Sequence, residues 1–563
     1  MIAASRKPGG SGLAAIACLA VPLVLYTFLY LVPIGSVISL SLDNRELSGS
    51  LINFNRADSH DRNAQAAALV TDMRAMHASQ QAAVARELNQ ELSGFRTLFL
   101  KTARAANTIK ADLPSLTDFD PRWNEEKYWT VIAQNSDRIS LRHFERATGF
   151  KVNEEGRLEA GGDDIYLQIM GRTLTIAVEV TLVTLLISYP LAYAALHAPR
   201  RMAAFILVAV LMSFWTSILV RTTAWVILLQ TSGILNTFLL WTGLIDEPLQ
   251  LIFNRFGVIV AMTHVLLPFA IIPMMNVMRT IPKSQVDASR SLGAGAVESF
   301  LRVYFPQSLR GVGVAAGTVF ILALGFYITP ALTGGPKDQM LSFYIADFVK
   351  RALNWGMASA LSVLLLGTVL ILVSFSARFA GLQIAEGSRL MSRFIFWTST
   401  LLALAFLVIP LVLIMPLAFN ESSFLTYPME GFSLKWFHEV FAQEQWARSF
   451  LNSLKVAVGT TLVALLVGGL AATGVMLLNR WLQTILTALF VSPMIVPSIV
   501  IGVAFAYSFG RVGLSGSYWG LVLAHSILAA PLVFLSVMTS LRGLDPDLDR
   551  AAASLGHHVV TVS

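Results

Sequence analysis

Val286-Asp287-Ala288-Ser289-Arg290-Ser291-Leu292-Gly293-Ala294 returns near the end of the chain as Asp549-Arg550-Ala551-Ala552-Ala553-Ser554-Leu555-Gly556-His557. Gly293 and Gly556 lie 263 residues apart. Each copy follows a long apolar run and sits in a charged segment. A charged helix-Gly-helix loop that occurs twice, in matching places, implies docking of a partner at two equivalent positions. It points to a transporter worked by a separate engine rather than to a channel or an enzyme.

The rest of the composition agrees. Of 563 residues 55% are hydrophobic and 13% charged, against about 25% charged in a soluble chain. The deficit is concentrated in runs of roughly 20 apolar residues, the length that crosses a bilayer core. Ten such runs are expected, at 13–40, 170–196, 203–229, 257–277, 311–332, 356–376, 395–419, 451–478, 482–508 and 517–538. The first is too long for the core of a signal peptide and carries Pro22 and Pro33, so it reads as a retained transmembrane helix. Loops assigned alternately put about twice as many Lys and Arg on one side as on the other. The positive-inside rule then places the N-terminus and both repeated loops in the cytoplasm. The net charge of +7 is thereby topological, and nucleic acid is not a partner; the lipid bilayer is.

Several chemistries are excluded. Cys18 is the single cysteine, so neither a disulfide within the chain nor a cysteine-based metal site can form. His557-His558 is poorly spaced for a metal, and no metal site is expected. No Gly-x-x-x-x-Gly-Lys-Ser/Thr phosphate loop occurs, nor His-Glu-x-x-His, nor Gly-x-Ser-x-Gly. The chain holds no cofactor of its own, and energy must come from elsewhere.

Internal offsets divide the chain. Leu31-Val32-Pro33-Ile34 matches Val408-Ile409-Pro410-Leu411 at an offset of 377; Arg172-Thr173-Leu174 matches Asn452-Ser453-Leu454 at 280; Arg279 matches Arg542 at 263. The drop of 97 between the first two offsets marks an insertion behind the first span of the first half. The expected organisation is a first helix over 1–40, a mostly helical extracytoplasmic insertion over 41–168, and the remainder of the first half over 169–376. A cytoplasmic linker over 377–394 and a second half over 395–563 complete it. Within the insertion, Leu69, Met73, Met76, Val84, Leu88, Leu92, Phe95 and Phe99 recur at helical spacing, predicting one long amphipathic helix over roughly 60–105. Further helix is expected from Tyr128 to Phe150 and a turn over Gly156–Asp164. The first half has six spans and the second four, with the sequence ending at Ser563 inside the repeated loop. Equivalence of the copies makes a fragment lacking two spans the expectation.

The loop over 279–310 carries the mechanism. Pro282 suits the first turn of a helix, Asp287 is expected near its start where the dipole favours a carboxylate, and Gly293 suits the left-handed residue just past its end. A second short helix is expected with Ala296, Phe300 and Val303 on one face. Two short helices at an angle make a rigid knob.

Asp287-Ala288-Ser289, then Gly293, then Phe300-Leu301-Arg302-Val303-Tyr304-Phe305-Pro306 resembles the "EAA" motif of binding-protein-dependent ABC importer permeases. Phe214 to Trp225, Gly233-Ile234-Leu235-Asn236 and Tyr327 to Gly335 are similar to permeases of the spermidine/putrescine type. Phe432 to Phe437 and Leu451 to Leu454 resemble the partner permease of the same system. The resemblance covers nearly the whole chain outside the insertion. It implies an all-α polytopic membrane protein of two tandem type I importer permease halves in the bacterial inner membrane, moving a small organic solute, expected to be a polyamine. It further implies two ATP-binding subunits carrying ATP and Mg, a periplasmic solute-binding protein, and a coupling helix formed by Asp287, Ala288, Gly293 and Phe300, repeated at Ala551 and Gly556. The family's glutamate aligns with Asp287 in the first copy but with Arg550 in the second, and the insertion is longer than the family's usual first loop. Rival readings are a secondary transporter driven by an ion gradient, and a sensor or assembly protein using the outer domain.

Four residues are candidates for the translocation path. An intramembrane carboxylate such as Glu179 commonly faces a bundle interior or pathway, though a hydrogen bond to a neighbouring helix explains it equally well. His264 and His525 are expected at similar places in the two halves, ahead of Pro268 and Pro531. Trp215 belongs to an aromatic run that fits an interfacial belt better than a cation cage.

Overall fold

A computed structural model describes residues 10–58, 61–108, 116–152, 157–161, 164–379, 393–425 and 427–543. Most of the linker, and Asp549, Arg550, Ala551 and Gly556 of the second loop, lie outside the described residues. The principal helices are α1 Leu13–Leu40, α2 Ile165–His197, α3 Arg200–Trp215, α4 Ile218–Leu229, α5 Arg255–Met278, α6 Lys283–Ser291 and α7 Ala296–Leu324. They continue as α8 Trp355–Phe379, α9 Arg393–Leu417, α10 Glu444–Met476, α11 Arg480–Val491, α12 Ser498–Arg511 and α13 Tyr518–Arg542. Among the described residues, nine helices are long and apolar enough to cross a membrane, and one bent pair makes up to ten.

Three of the ten expected spans are not single helices. The apolar run over 203–229 breaks between α3 and α4 at Thr216-Ser217, both extended. The run over 482–508 breaks before α12, where the axis bends by 89°. Ser217 and Pro497 each cap the helix that follows and are equivalent at the 280 offset, so the break belongs to the repeat. The span expected over 311–332 also differs. Its helix starts at Ala296 and stops at Leu324, and Ile328–Thr333 forms a separate turn. At the stop, a Cβ on Gly325 would sit 3.0 Å from the Ser498 backbone nitrogen, so the chain ends lie too close for a side chain.

The described residues form two compact units. The larger comprises the described residues within 1–35, 168–347 and 364–563. Within it, the halves exchange their first helices. Helix α1 packs on α10 of the second half, with Leu19, Tyr26 and Tyr30 in one cluster with Val467, Ala471, Val475 and Phe490. Tyr26 donates its hydroxyl to the Phe490 carbonyl at 3.1 Å, and Gly474 lies where a Cβ would meet Leu19 Cγ at 2.6 Å. In return α9, the first helix of the second half, packs on α3, α4 and α5 of the first. Small residues permit these close approaches, as membrane helices require when lipid offers no apolar contrast.

The smaller unit comprises 36–167 and 348–363. The long helix expected over 60–105 is three helices, Arg62–Ala75, Ala78–Glu91 and Phe95–Thr108. The predicted apolar stripe is correct, but it closes on itself: Leu69, Met73, Val84, Leu88, Phe95 and Phe99 share one buried core with Trp123 and Trp129. Gly94, at φ 90°, supplies the last reversal. The helix expected from Tyr128 to Phe150 is two, Glu126–Gln134 and Arg142–Thr148, and the expected turn contains part of an antiparallel hairpin, Phe150–Val152 with Leu158–Ala160. Two ionisable groups are fixed by this packing. Burial, reinforced by Arg142 and Arg146, pushes the His143 imidazole down to about 3. Hydrogen bonds from Arg122 and Lys101 hold the Asp120 carboxyl well below its usual range.

Candidate functional site

The knob between α5 and α7 begins where Pro282 ends an extended turn, φ −67° and ψ 126°, and caps α6. Expected in the first turn, it instead stands one position before the first helical residue, Lys283, within the usual uncertainty of helix ends. Asp287 is the fifth of nine residues in α6. It therefore stands in the middle of the helix, not near its start, and the dipole argument does not apply to it.

The C-terminus of α6 closes as the sequence requires. Gly293 has φ 94°, its N–H donates to the Arg290 carbonyl at 3.0 Å, and Ala294 N–H donates to the Ser289 carbonyl at 3.1 Å. That pair of reversed bonds satisfies the free carbonyls at a helix end and needs the left-handed glycine between them. A 2.8 Å hydrogen bond joins the Ser289 and Ser299 hydroxyls, locking α6 to the start of α7.

The expected second short helix is instead the first turn of α7, which runs on through a π-turn at Phe300–Tyr304. Pro306 is the physical reason: it has no N–H for the preceding turn, and a wide i→i+5 bond, Phe305 N–H to the Phe300 carbonyl, carries the helix past it. The knob is thereby continuous with a spanning helix.

Helix α6 buries none of its residues. Asp287 and Ala288 are exposed, and Leu292 is 90% exposed at the tip. The sequence carries a signal for Leu292 that the candidate residues above do not use, its recurrence as Leu555 beside the second glycine. Phe300, by contrast, points into the protein. Its ring meets Tyr193 edge-on at 5.3 Å and stacks with Tyr304 at 5.8 Å. Tyr193 also meets Phe396 of α9 at 5.1 Å, and Tyr189 shares a 2.8 Å hydrogen bond with Ser308. This aromatic root joins the knob to α2 and to the helix borrowed from the second half. Sequence reasoning missed it, because aromatic residues near a span end read equally well as an interfacial belt.

The four path candidates are not brought together: no hydrogen bond, ion pair or ring contact joins any two of them among the described residues. Arg255 forks onto Glu179, with Nε to Oε2 at 2.8 Å and Nη2 to Oε1 at 2.9 Å. We expect Arg255→Met to destabilise the chain by about 1–3 kcal/mol, since it strands a carboxylate in a spanning segment. The exchange Glu179→Arg with Arg255→Glu should recover most of that loss, read from melting of the purified chain in detergent. His264 is fully buried, its Nε2 bonded to the Leu407 carbonyl at 3.0 Å. His525 is exposed and bonds only its own helix, at Leu521. The two are not equivalent, because the 263 offset sets Ile527 opposite His264. Trp215 ends α3 and is 76% exposed.

Relatives share this sequence over substantial stretches. The spermidine/putrescine transport system permease protein PotB of Escherichia coli K12 is 30% identical over 203 residues, 36% of this chain and 74% of the relative. The protein of that name from Salmonella typhimurium LT2 is 28% identical over 227 residues, 40% of this chain and 79% of the relative. A probable ABC transporter permease protein, y4fN, of Sinorhizobium fredii is 26% identical over 324 residues, 54% of this chain and 57% of the relative. Among solved structures, a bacterial ABC transporter involved in the import of the acidic polysaccharide alginate is 17% identical with a TM-score of 0.32, over 39% of this chain and 79% of that one. No family model matches the chain.

Proposed function

The chain belongs to the family of ABC transporter permeases that includes the spermidine/putrescine transport permeases, and from that premise we propose that it carries a polyamine such as putrescine or spermidine across the bacterial inner membrane. It is a translocation component, not an enzyme. The observation that carries the mechanism is the knob: a short helix with no buried residue, closed by Gly293, tipped by Leu292 and continuous with a spanning helix. On this reading two ATP-binding subunits receive α6 and its counterpart near Gly556, each in a cleft. Their closure on ATP moves the knobs as rigid bodies, α7 and the aromatic root pass the motion on, and the path between the halves changes the side to which it opens. The N-terminus lies in the cytoplasm. The insertion lies outside the membrane on the opposite side, where a periplasmic solute-binding protein delivers cargo.

Uptake of labelled putrescine and spermidine by cells expressing the complete system tests the cargo. ATP-dependent accumulation of at least one is expected. Accumulation of a different solute, with neither polyamine taken up, would refute the polyamine assignment and leave the permease assignment standing.

A further inference from the structure

The offsets that relate the halves extend to their helix crossings. Helices α2 and α10 each hold 33 residues and coincide within one residue at the 280 offset. Helices α5 and α13 begin at Arg255 and Tyr518, 263 apart. Each is capped by the residue before it: the Asn254 side chain accepts from the Gly257 N–H, and the Ser517 side chain from the Gly520 N–H. Matching lengths and matching caps make the meeting of α2 with α5 the counterpart of the meeting of α10 with α13.

At this meeting the halves use different chemistry. In the first, Arg255 forks onto Glu179. Adding 280 to Glu179 gives Gly459, and adding 263 to Arg255 gives Tyr518. Those two also touch. A Cβ on Gly459 would lie 2.6 Å from Tyr518 Oη, so the phenol fills the space that the missing side chain leaves. Its hydroxyl donates to the Lys455 carbonyl at 3.1 Å, one turn before the glycine. The same meeting is held once by an ion pair and once by a ring seated in a hole.

The two solutions do not interchange. Against α13, Glu179 would put a side chain where Tyr518 sits and leave its carboxylate without a counter-charge in a spanning segment. Against α5, Gly459 would leave the Arg255 guanidinium unpaired. Both wrong pairings strand a charge, which is strongly unfavourable away from water; neither right pairing does. Apolar faces alone discriminate poorly in a bilayer, because lipid is as apolar as a partner helix. The halves are copies, and they already exchange their first helices. Moreover α10 precedes α13 in the chain and follows α5, so it meets the wrong partner before the right one exists.

We propose that Glu179–Arg255 and Gly459–Tyr518 are matched keys that sort the helices of the two halves: α2 accepts α5 and refuses α13, while α10 accepts α13 and refuses α5. The sorting is independent of the cargo assignment. It is tested on the full chain, expressed in membranes and purified in detergent. Arg255→Tyr with Tyr518→Arg keeps the composition and mismatches both meetings, so the monodisperse yield on gel filtration should fall several-fold. Adding Glu179→Gly with Gly459→Glu matches both again, with the keys exchanged between halves, and should restore most of that yield. A third variant separates sorting from simple stabilisation. Glu179→Gly with Arg255→Tyr gives both halves the glycine–tyrosine contact, so every pairing fits and none is refused. Its monodisperse yield should fall several-fold, while the molecules that remain melt within about 2 °C of the parent. The proposal is overturned if the fourfold variant yields no more than the partner exchange. It is equally overturned if Glu179→Gly with Arg255→Tyr keeps the parent yield, or loses yield only together with its melting midpoint.

Discussion

Replacing Gly293 by proline is expected to abolish cargo uptake while the chain still inserts and melts normally. The residue sits at φ 94°, and a proline ring locks φ near −65°. The substitution also removes the N–H that donates to the Arg290 carbonyl. Both effects fall on the turn that sets the direction of α6 relative to α7, and not on the core of a spanning helix. Even a residue with an ordinary side chain would cost about 1–2 kcal/mol in the left-handed region, so Gly293→Val should give a milder form of the same defect. Gly295→Ala is the control: its φ is −64° and a Cβ there meets nothing within 4 Å. The measurements are cargo uptake and ATP hydrolysis by the assembled transporter in vesicles. Hydrolysis should continue without transport, or lose its response to cargo. Uptake at the parent rate in Gly293→Pro would remove the coupling role assigned to this loop.

The second large effect is expected at Gly468, where α10 crosses α13. A Cβ there would lie 2.8 Å from both the Ala530 carbonyl oxygen and Val533 Cβ, and 3.0 Å from the Phe534 nitrogen. Two of those atoms are backbone, so no rotamer change relieves the clash. Gly468→Val must separate the helices, at a cost of about 1–3 kcal/mol or more. Because α10 also receives α1, the loss should spread to the junction of the two halves, leaving little monodisperse protein on gel filtration. The neighbouring Gly469 has nothing within 4 Å of a built Cβ. Gly469→Ala should be neutral or slightly stabilising through helix propensity, and the contrast between adjacent glycines separates packing from a general intolerance of substitution.

What could be read in advance follows from what each signal depends on. The conformation of Gly293 was legible because few residues other than glycine occupy that backbone region. The π-turn at Phe300–Tyr304 was not. Pro306 announced that a hydrogen bond would be missing, but whether the helix stops or widens there depends on the aromatic packing around Tyr193. The broken spans were hidden for a related reason. Hydropathy averages over a window, and Thr216-Ser217 dilutes it too little to register, so a run of the right length concealed two helices. In the insertion, the period of the apolar residues was correct while the length was not: a stripe records which residues face the core, not whether the helix carrying them turns back. The resemblance to the family's loop points to Phe300 as a coupling residue, yet its ring packs inward on Tyr193 and Tyr304, and the exposed residue at the tip is Leu292. His264 and His525 were paired by their distance from a proline, whereas the offset between the halves sets an isoleucine opposite the first. The exchange of first helices left no trace in the sequence, because every face that meets a partner in a membrane is as apolar as one that meets lipid.

That exchange bears on how the protein is made. Helix α1 leaves the ribosome before α10, and Gly474, which receives Leu19, follows that leucine by 455 residues. At synthesis rates of about 5–20 residues per second, the first helix waits roughly 20–90 s in the bilayer before the surface it needs exists. Throughout that time its side chains have only lipid and early helices for company. The first half cannot be a finished intermediate on the way to the whole, and a ribosome that stops at the linker leaves an unmatched α1 together with an uncovered groove on α3, α4 and α5.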